Sequence, residues 1–428
     1  MKISGNKDKS LEKLNKNFNF LVNNSYSAFY RDKYKRAGIK LKSIKSIKDF
    51  ESLPYLTKNE LLEISPYKFI FTNPKNISDV GITSGTTDKD NPLMLLSDIN
   101  IRPEINISRF DPLLKLKIRA HMLLYPPLTS AGRIRRNENL IKKGVINTAG
   151  DITNLALTAK IVKRLQIESI ETTASILYAF IPYLKQEYDL NKIKVIMIGG
   201  EYCSEQKYKY LQKVFKNALI MPDFGSVETG TMSYRCNFLD KKPIRFFHPA
   251  SHIYAEVVNQ KEEGELVVTG LNPGMMPYFL RYKTGNHVKL TDVKCQCGAT
   301  QLIELFGNIG FDILQVQGTF IYSSQIHDIL TNYIKYLKST DFKLHVYEEI
   351  KQNKIMTRLV LQLILKNEFS DHNKIKKAIT LGINKLVLTP KNTLSDLVDK
   401  GIYLPLEIEF VENFPLTAKR TNIVSHIV

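Results

Sequence analysis

Two groups of residues in this sequence have types and spacings suited to chemistry. The stretch Gly81 to Asn91, GITSGTTDKDN, crowds hydroxyls and glycine into a polar loop behind Val80. Gly85 frees backbone amides, and the hydroxyls of Thr83, Ser84, Thr86 and Thr87 stand beside them, a donor set that can cradle phosphate oxygens. It is not a Walker A loop, because the lysine due after the second glycine is missing and no strongly periodic helix starts behind it. By composition alone the loop reads as an ordinary polar turn. The second group is Cys295-Gln-Cys297-Gly298, with Cys236 and either His248 or His252 upstream. Three thiolates and one imidazole suit tetrahedral Zn²⁺, and three of the chain's four cysteines join the set; free buried thiols are the alternative.

Such loops need strands and helices to hold them. Val195 to Ile198 reads as a buried strand ending in Gly199-Gly200, Glu205 to Phe215 as the helix behind it, and Ala218 to Met221 as the next strand, leading into Asp223-Phe-Gly-Ser226. Loops after strand ends are where open α/β sheets take ligands. Glu265 to Thr269 and Tyr278 to Tyr282 read as further strands. Before them, Leu11, Leu14, Phe18, Leu21 and Val22 give an amphipathic N-terminal helix, with Phe29-Tyr30 closing the run. Leu53-Pro54-Tyr55 breaks the pattern, Thr57 caps a short helix through Leu62, and Pro66 and Pro74 frame a connection.

The rhythm changes near residue 307. Strand patterns at Asp312 to Gln317, Phe342 to Tyr347, Met356 to Leu365 and Leu406 to Val411 alternate with helix patterns at Ser323 to Tyr336 and Asn373 to Leu386, the order βαββαβ of a small split βαβ domain. The expected organisation is a multi-layer α/β large domain over residues 1–306, a hinge over 307–311 and a smaller mobile α+β domain over 312–428, with Gly307 and Gly310 supplying the hinge.

Composition excludes some classes. A chain of 428 residues, 43% apolar and 24% charged, is globular and long enough for two or three domains. No run of 18 apolar residues and no signal-like start occurs, so the protein is read as cytoplasmic and without a membrane. The net charge of +19 comes from 47 lysines and 14 arginines dispersed along the chain. That pattern suits a solvated surface better than a phosphate groove, so no nucleic-acid partner is expected.

Across nearly its whole length the sequence resembles the adenylate-forming (acyl-CoA ligase) superfamily, most nearly its phenylacetate-CoA ligase-like branch. The motifs stand in the family's order. Phe29-Tyr30-Arg31 and Leu53-Pro54 to Thr57-Lys58 are similar to the branch's opening, Thr83 to Thr87 to its nucleotide loop, and Gly199-Gly200-Glu201 to its adenine-side turn. Phe224-Gly225-Ser226-Val227-Glu228 is similar to its aromatic-Gly-x-x-Glu motif, and Arg281-Tyr282-Lys283-Thr284-Gly285 to its Arg-Tyr-x-Thr-Gly-Asp.

The resemblance implies ATP-dependent activation of a small carboxylic acid, aryl or arylacetic acids among the candidates, to an acyl-adenylate. The acyl group then passes to the thiol of CoA or of an acyl carrier protein's phosphopantetheine. It implies Phe224 as a face for adenine, with Gly225 admitting close backbone approach, and Glu228 as ligand of Mg²⁺ beside the ATP phosphates. Arg281 steadies phosphate or a loop carboxylate, or is a plain salt bridge. Lys419, in Pro415-Leu416-Thr417-Ala418-Lys419, stands for the mobile catalytic lysine. His248 is preferred over His252 as the fourth zinc ligand, and the zinc is structural. The acid pocket falls within His121 to Tyr125 and Thr172 to Tyr178. Oligomeric state is open, a homodimer included.

Several positions depart from the family's pattern. Asn286 stands where an aspartate grips the ribose, Ile309 and Phe311 replace the hinge arginine and first aspartate, leaving Asp312, and Asp88 follows Thr87 where glycine is usual. A non-catalytic nucleotide-binding or scaffold protein of the same fold is therefore the rival expectation.

Overall fold

The computed structural model describes residues 4–83, 92–98, 112–126, 137–201, 203, 205–274, 277–309, 312–316, 319–351, 354–389, 391–414 and 422–426. Its internal contacts divide the chain into one unit of Met1–Thr284 with Lys289–Glu304 and another of Gly285–Val288 with Leu305–Val428.

In the first unit five parallel strands stand in the order Ile146–Ala149, Ala120–Leu124, Ser169–Thr172, Val195–Gly199, Leu219–Asp223. The inner strand Val195–Gly199 is a continuous buried apolar run because both its faces are covered, while its neighbour Ser169–Thr172 is as buried but carries Ser169, Glu171 and Thr172. On one face the helices Leu155–Leu165 and Ala174–Glu187 bring Val162, Leu177 and Phe180 against Met122, Ile170 and Ile196. On the other, Leu113, Leu140 and Val145 pack against Val195 and Met197. The strand expected at Ala218 to Met221 is Leu219–Asp223, and the helix expected behind Gly200 is Glu205–Val214.

A six-stranded sheet follows, in the order Ser233–Tyr234, Phe246–Pro249, Gln301–Asn308, Tyr282–Asp292, Glu263–Gly270, Ile253–Val257. Here the reading of 278–282 as a strand is corrected, since the strand begins only at Tyr282. Arg281 adopts φ +53°, a left-handed conformation that interrupts a strand, and its N–H donates to Thr269 Oγ1 at 2.8 Å rather than to a ladder carbonyl.

The N-terminal helix is Ser4–Val22, with Leu14, Phe18 and Leu21 as its buried stripe. Phe29-Tyr30 does not close that helix but opens a second, Phe29–Arg36. The Tyr30 hydroxyl donates to Tyr278 O and accepts from Leu280 N–H, both at 2.9 Å, fixing the second helix to the chain before Arg281. Thr57 and Glu60 form a capping box that starts the helix Lys58–Leu62.

The second unit has a four-stranded sheet in the order Glu407–Phe410, Lys354–Leu365, Leu337–Lys351, Ile423–Ser425. The two long strands are antiparallel, each edge strand runs parallel to its neighbour, and the helices Ser323–Thr331 and His372–Ile383 bury Ile326, Leu330, Ile375 and Ile379 in the unit's core. The α+β character and the expected strands and helices recur in order, but the chain adds a small hairpin, Val387–Thr389 with Asn392–Thr393, and a helix, Leu394–Asp399, beyond those expected, and one strand changes membership. The strand Ile313–Val316 pairs with Thr319–Tyr322 in its own hairpin, and the sheet edge is taken by Ile423–Ser425. Three residues are too few for alternation to announce a strand. Asp312, buried at 3%, accepts from Asn308 N–H at 3.0 Å and Asn422 Nδ2 at 2.9 Å, tying the entry of this unit to its last strand. No helix among the described residues is long and apolar enough to cross a membrane.

Candidate active site and metal centre

Five loops leave the carboxyl ends of the parallel strands, at Tyr125, Gly150, Thr173, Gly200 and Phe224, and of the residues singled out in the sequence Gly199 to Glu201 and Phe224 to Glu228 lie there. Strand pairing sets Gly199 beside Asp223, where a Cβ on Gly199 would come within 3.2 Å of the Asp223 carbonyl. Gly200 turns the chain at φ +90°, and beside it lie Thr173 and the ring of Tyr125. Glu201 Oε1 accepts Ser175 N–H at 2.5 Å, so this carboxylate caps the helix Ala174–Glu187 together with Thr173, whose hydroxyl accepts Ile176 N–H at 3.2 Å. Lys207 Nζ donates to Ser175 Oγ at 3.0 Å. The turn Gly199 to Glu201 is thereby held by its neighbours.

Asp223 leads into a tight hairpin of Gly225–Ser226 and Gly230–Thr231. Gly225 must be glycine, since a Cβ there would meet the Gly230 carbonyl and lie 2.9 Å from Thr231 Cα. The close approach expected of a ligand at Gly225 is therefore made by the hairpin's own second strand. Ser226 Oγ accepts Thr229 N–H at 3.2 Å and closes the tip. The Phe224 ring is 6% exposed and lies 5.8 Å from Phe247, a core position that leaves little face for adenine.

Glu228 sits at the hairpin tip, 7% exposed, with Oε1 3.6 Å from Lys58 Nζ. Tyr282 is close enough that burial first, and then the Glu228 charge, push its phenol well above the usual range. Lys58 stands in the sequence reading only as the end of the opening stretch Leu53-Pro54 to Thr57-Lys58, without a role; it is one of 47 lysines and the first residue of the capped helix Lys58–Leu62.

Arg281 takes no part in this group. Its Nε donates to Glu256 Oε1 at 2.7 Å with both side chains 4% exposed, its Nη1 donates to the carbonyls of Glu51 and of Leu53 (2.6 Å), and its guanidinium lies 4.3 Å from the Tyr55 ring centre. Of the two readings of Arg281, the structure favours the salt bridge: it fastens the 51–55 segment to the six-stranded sheet. The bond from Lys283 N–H to Leu56 O, 2.9 Å, continues that fastening next to Lys58. Thr284 Oγ1 donates to Leu266 O at 2.9 Å, and Asn286, 6% exposed, falls in the stretch 285–288 that clusters with the second unit. Thr83 closes the base of its loop, its hydroxyl accepting Leu93 N–H and its N–H donating to Leu93 O, both at 3.0 Å. Ser84, Gly85, Thr86, Thr87, Asp88, Phe311 and Lys419 lie outside the described residues.

The second constellation is brought together by the antiparallel pairing of Ser233–Tyr234 with Phe246–Pro249, which sets His248 opposite Tyr234. Ligand atoms of Cys236, His248, Cys295 and Cys297 all lie within 4.8 Å of one another. The Cys236 and Cys295 sulfurs are 3.7 Å apart, and Cys236 Sγ is 3.5 Å from His248 Nε2. With Zn–S of about 2.3 Å and Zn–N of about 2.0–2.1 Å, a tetrahedral site has edges of about 3.8 and 3.5 Å, so the donor set fits the ion. His248 Nδ1–H donates to Gln301 O at 2.7 Å, which leaves the Nε2 lone pair facing the thiols. Burial raises the Cys297 thiol, but the Ala299 N–H and donors from Cys295, Cys236 and Tyr234 outweigh it and hold the group below its usual value. His252 lies outside the cluster, and burial pushes it down to about 4.

No protein-family model matches the sequence, and no curated protein matches it at the level of sequence. Solved structures do match. A 2-hydroxyisobutyryl-CoA ligase in its postadenylation state superposes with a TM-score of 0.74 at 16% identity, covering 99% of this chain and 90% of that one. The chain has the fold of the adenylate-forming ligases. The same ligase with 2-HIB-AMP and CoA in its thioesterification state gives a TM-score of 0.59 at 17% identity, over 100% of this chain and 91% of that one. An anthranilate-CoA ligase with anthranoyl-AMP gives 0.57 at 14% identity, over 82% of this chain and 66% of that one. O-succinylbenzoate-CoA synthetase from Bacillus subtilis, with ATP and magnesium ion, gives 0.50 at 15% identity, over 79% of this chain and 67% of that one. At these identities the likeness establishes the adenylate-forming fold, with a parallel-sheet large unit and a small α+β unit.

Proposed function

We propose that this chain activates a small carboxylic acid with ATP and passes the acyl group to a thiol. The observation that carries the reading is Glu228, a nearly buried carboxylate set beside Lys58 at the tip of a sterically fixed hairpin, directly after a parallel-strand end of this fold. A carboxylate oxygen of the acid attacks the α-phosphorus and pyrophosphate leaves; a thiol then attacks the acyl carbon and AMP leaves. Both steps depend on meeting developing negative charge more than on a general base. Glu228 is the residue to hold Mg²⁺, which supplies positive charge against the phosphates. Lys58 adds a second cation to the same anionic site, and the Gly199 to Glu201 turn fixes where adenine lies.

Lys419 is the lysine proposed for the α-phosphate. The small domain, turning about residues 307–311, exchanges it for another face between the two steps. CoA is the proposed acceptor because the similar ligases act with CoA, and a carrier-protein thiol is the alternative. The Cys236, His248, Cys295, Cys297 set supports a structural zinc and, with it, the phenylacetate-CoA ligase-like branch. Four protein ligands leave no open position for catalysis. Commitment of Arg281 to the protein's own carbonyls and of Phe224 to the core favours, as second reading, a fold retained without catalysis.

Calorimetric titration with ATP and Mg²⁺, followed by acid-dependent exchange of pyrophosphate into ATP over aryl, arylacetic and small hydroxy acids, separates the two. Micromolar ATP binding that is lost in Glu228→Ala, with exchange on at least one acid, supports catalysis. No ATP binding by folded, metal-loaded protein supports the retained fold.

A further inference from the structure

Between Cys236 and His248 the chain makes a loop with little regular structure, yet both ligands sit in register. The residue before the first ligand accounts for it. Arg235 Nη1 donates to the carbonyls of Pro243 (2.9 Å), Ile244 (3.2 Å) and Phe246 (2.7 Å), and Nη2 to those of Lys242 (3.1 Å) and Leu239. Five carbonyls of one loop thus converge on one guanidinium, whose fixed fork of N–H donors is shaped for such a cluster. An ammonium, with three donors on a flexible stem, cannot reproduce it. The loop is also tied by Ile244 N–H to Glu205 Oε2 at 2.8 Å and by local backbone bonds, Leu239 N–H to Cys236 O and Lys242 N–H to Leu239 O at 2.9 Å and Phe246 N–H to Pro243 O at 3.1 Å. The other half of the metal set rests on a turn closed by Cys295 N–H to Ala299 O (3.0 Å) and Gly298 N–H to Cys295 O (2.9 Å).

We propose that Arg235 is a positioning residue of the metal centre. By gathering the carbonyls of the 239–246 loop it sets Cys236 and His248 at ligand spacing before any ion arrives, so that Zn²⁺ has only to draw the Cys295–Cys297 turn onto a half-site already made. The inference rests on reading the four side chains as a metal site. Outer-shell groups of this kind typically govern metal affinity by about 10–100-fold.

The test uses the full-length chain, stripped with chelator and titrated with Zn²⁺ against a chromophoric competitor, for wild type, Arg235→Gln and Arg235→Lys. Arg245→Gln serves as control, since it removes the other guanidinium of the same loop, which pairs with Glu304 at 2.8 Å. The expected result is a loss of Zn²⁺ affinity of about 10–100-fold in both Arg235 variants, with no rescue by lysine. The metal-free variants keep a cooperative thermal transition, and Arg245→Gln binds as wild type. If Arg235→Gln does not accumulate as folded protein, Arg235→Lys, which keeps the charge, carries the same expectation. Wild-type affinity in the Arg235 variants overturns the inference, as does an equal loss in Arg245→Gln. A wild-type chain that binds no Zn²⁺ overturns the metal reading itself, and the role of Arg235 with it.

Discussion

Replacing Arg281 with alanine should cost stability rather than chemistry. The guanidinium and Glu256 form a buried pair at 2.7 Å, and both side chains are 4% exposed. Truncation removes the guanidinium that pairs with Glu256 in the interior, a loss of about 3–5 kcal/mol. The Leu53 carbonyl loses its buried donor, adding about 1–3 kcal/mol, and the contact over Tyr55 adds about 0.5–2 kcal/mol. Because all three pass through one group they do not sum, and about 4–6 kcal/mol is the working figure. For a unit of this size each kcal/mol moves the melting temperature by about 2 °C, so a drop of about 8–12 °C is expected in scanning calorimetry at a fixed scan rate. Removing both charges, as Arg281→Met with Glu256→Met, should return much of the loss, because no buried ion is left alone. An Arg281→Ala protein with unchanged melting temperature and no ATP binding would refute the reasoning and assign the guanidinium to the nucleotide.

Gly225→Ala should distort the hairpin that carries Glu228, costing about 1–3 kcal/mol by overpacking and weakening ATP binding; a fully active, equally stable variant would remove the steric argument. Glu228→Ala should lower the rate of acid-dependent pyrophosphate exchange by about 10²–10³-fold with the melting temperature nearly unchanged. His252 is held near pKa 4, below its unfolded value of about 6.5, so the unfolded chain binds more protons between these limits and stability falls as pH drops through that window, by up to about 3 kcal/mol. Urea midpoints measured against pH should show that slope, and His252→Gln should flatten it. Elemental analysis should find one zinc per chain, lost in Cys295→Ser along with part of the thermal stability.

Local signals carried much of this structure. Val195 to Gly199 is uniformly apolar and ends in two glycines, so both the buried strand and the turn after it were readable, and the βαββαβ order of the C-terminal part followed from clean changes of period. Cysteine scarcity made the cysteine–histidine cluster readable, because three of four cysteines fell in two short stretches. What sequence hid was pairing at long range. Arg281 reads as a motif arginine, but its partners are Glu256 and the carbonyls of Glu51 and Leu53, about 230 residues earlier in the case of the carbonyls. Its left-handed backbone, which ends the apparent strand at 278–282, is set by those partners and by Thr269. Phe224 shows the same limit: an aromatic before glycine suits either a ligand or the core, and only Phe247 decides. Lys58 gains its meaning from Glu228, 170 residues later.

The most direct test is to supply an accepted acid labelled with ¹⁸O in both carboxyl oxygens, with ATP, Mg²⁺ and CoA, and to weigh the nucleotide product. Attack of the carboxylate on the α-phosphorus transfers one labelled oxygen, so AMP carrying a single ¹⁸O, formed in step with an acyl thioester, is the expected result. Unlabelled AMP, or ADP with labelled phosphate, would contradict adenylation.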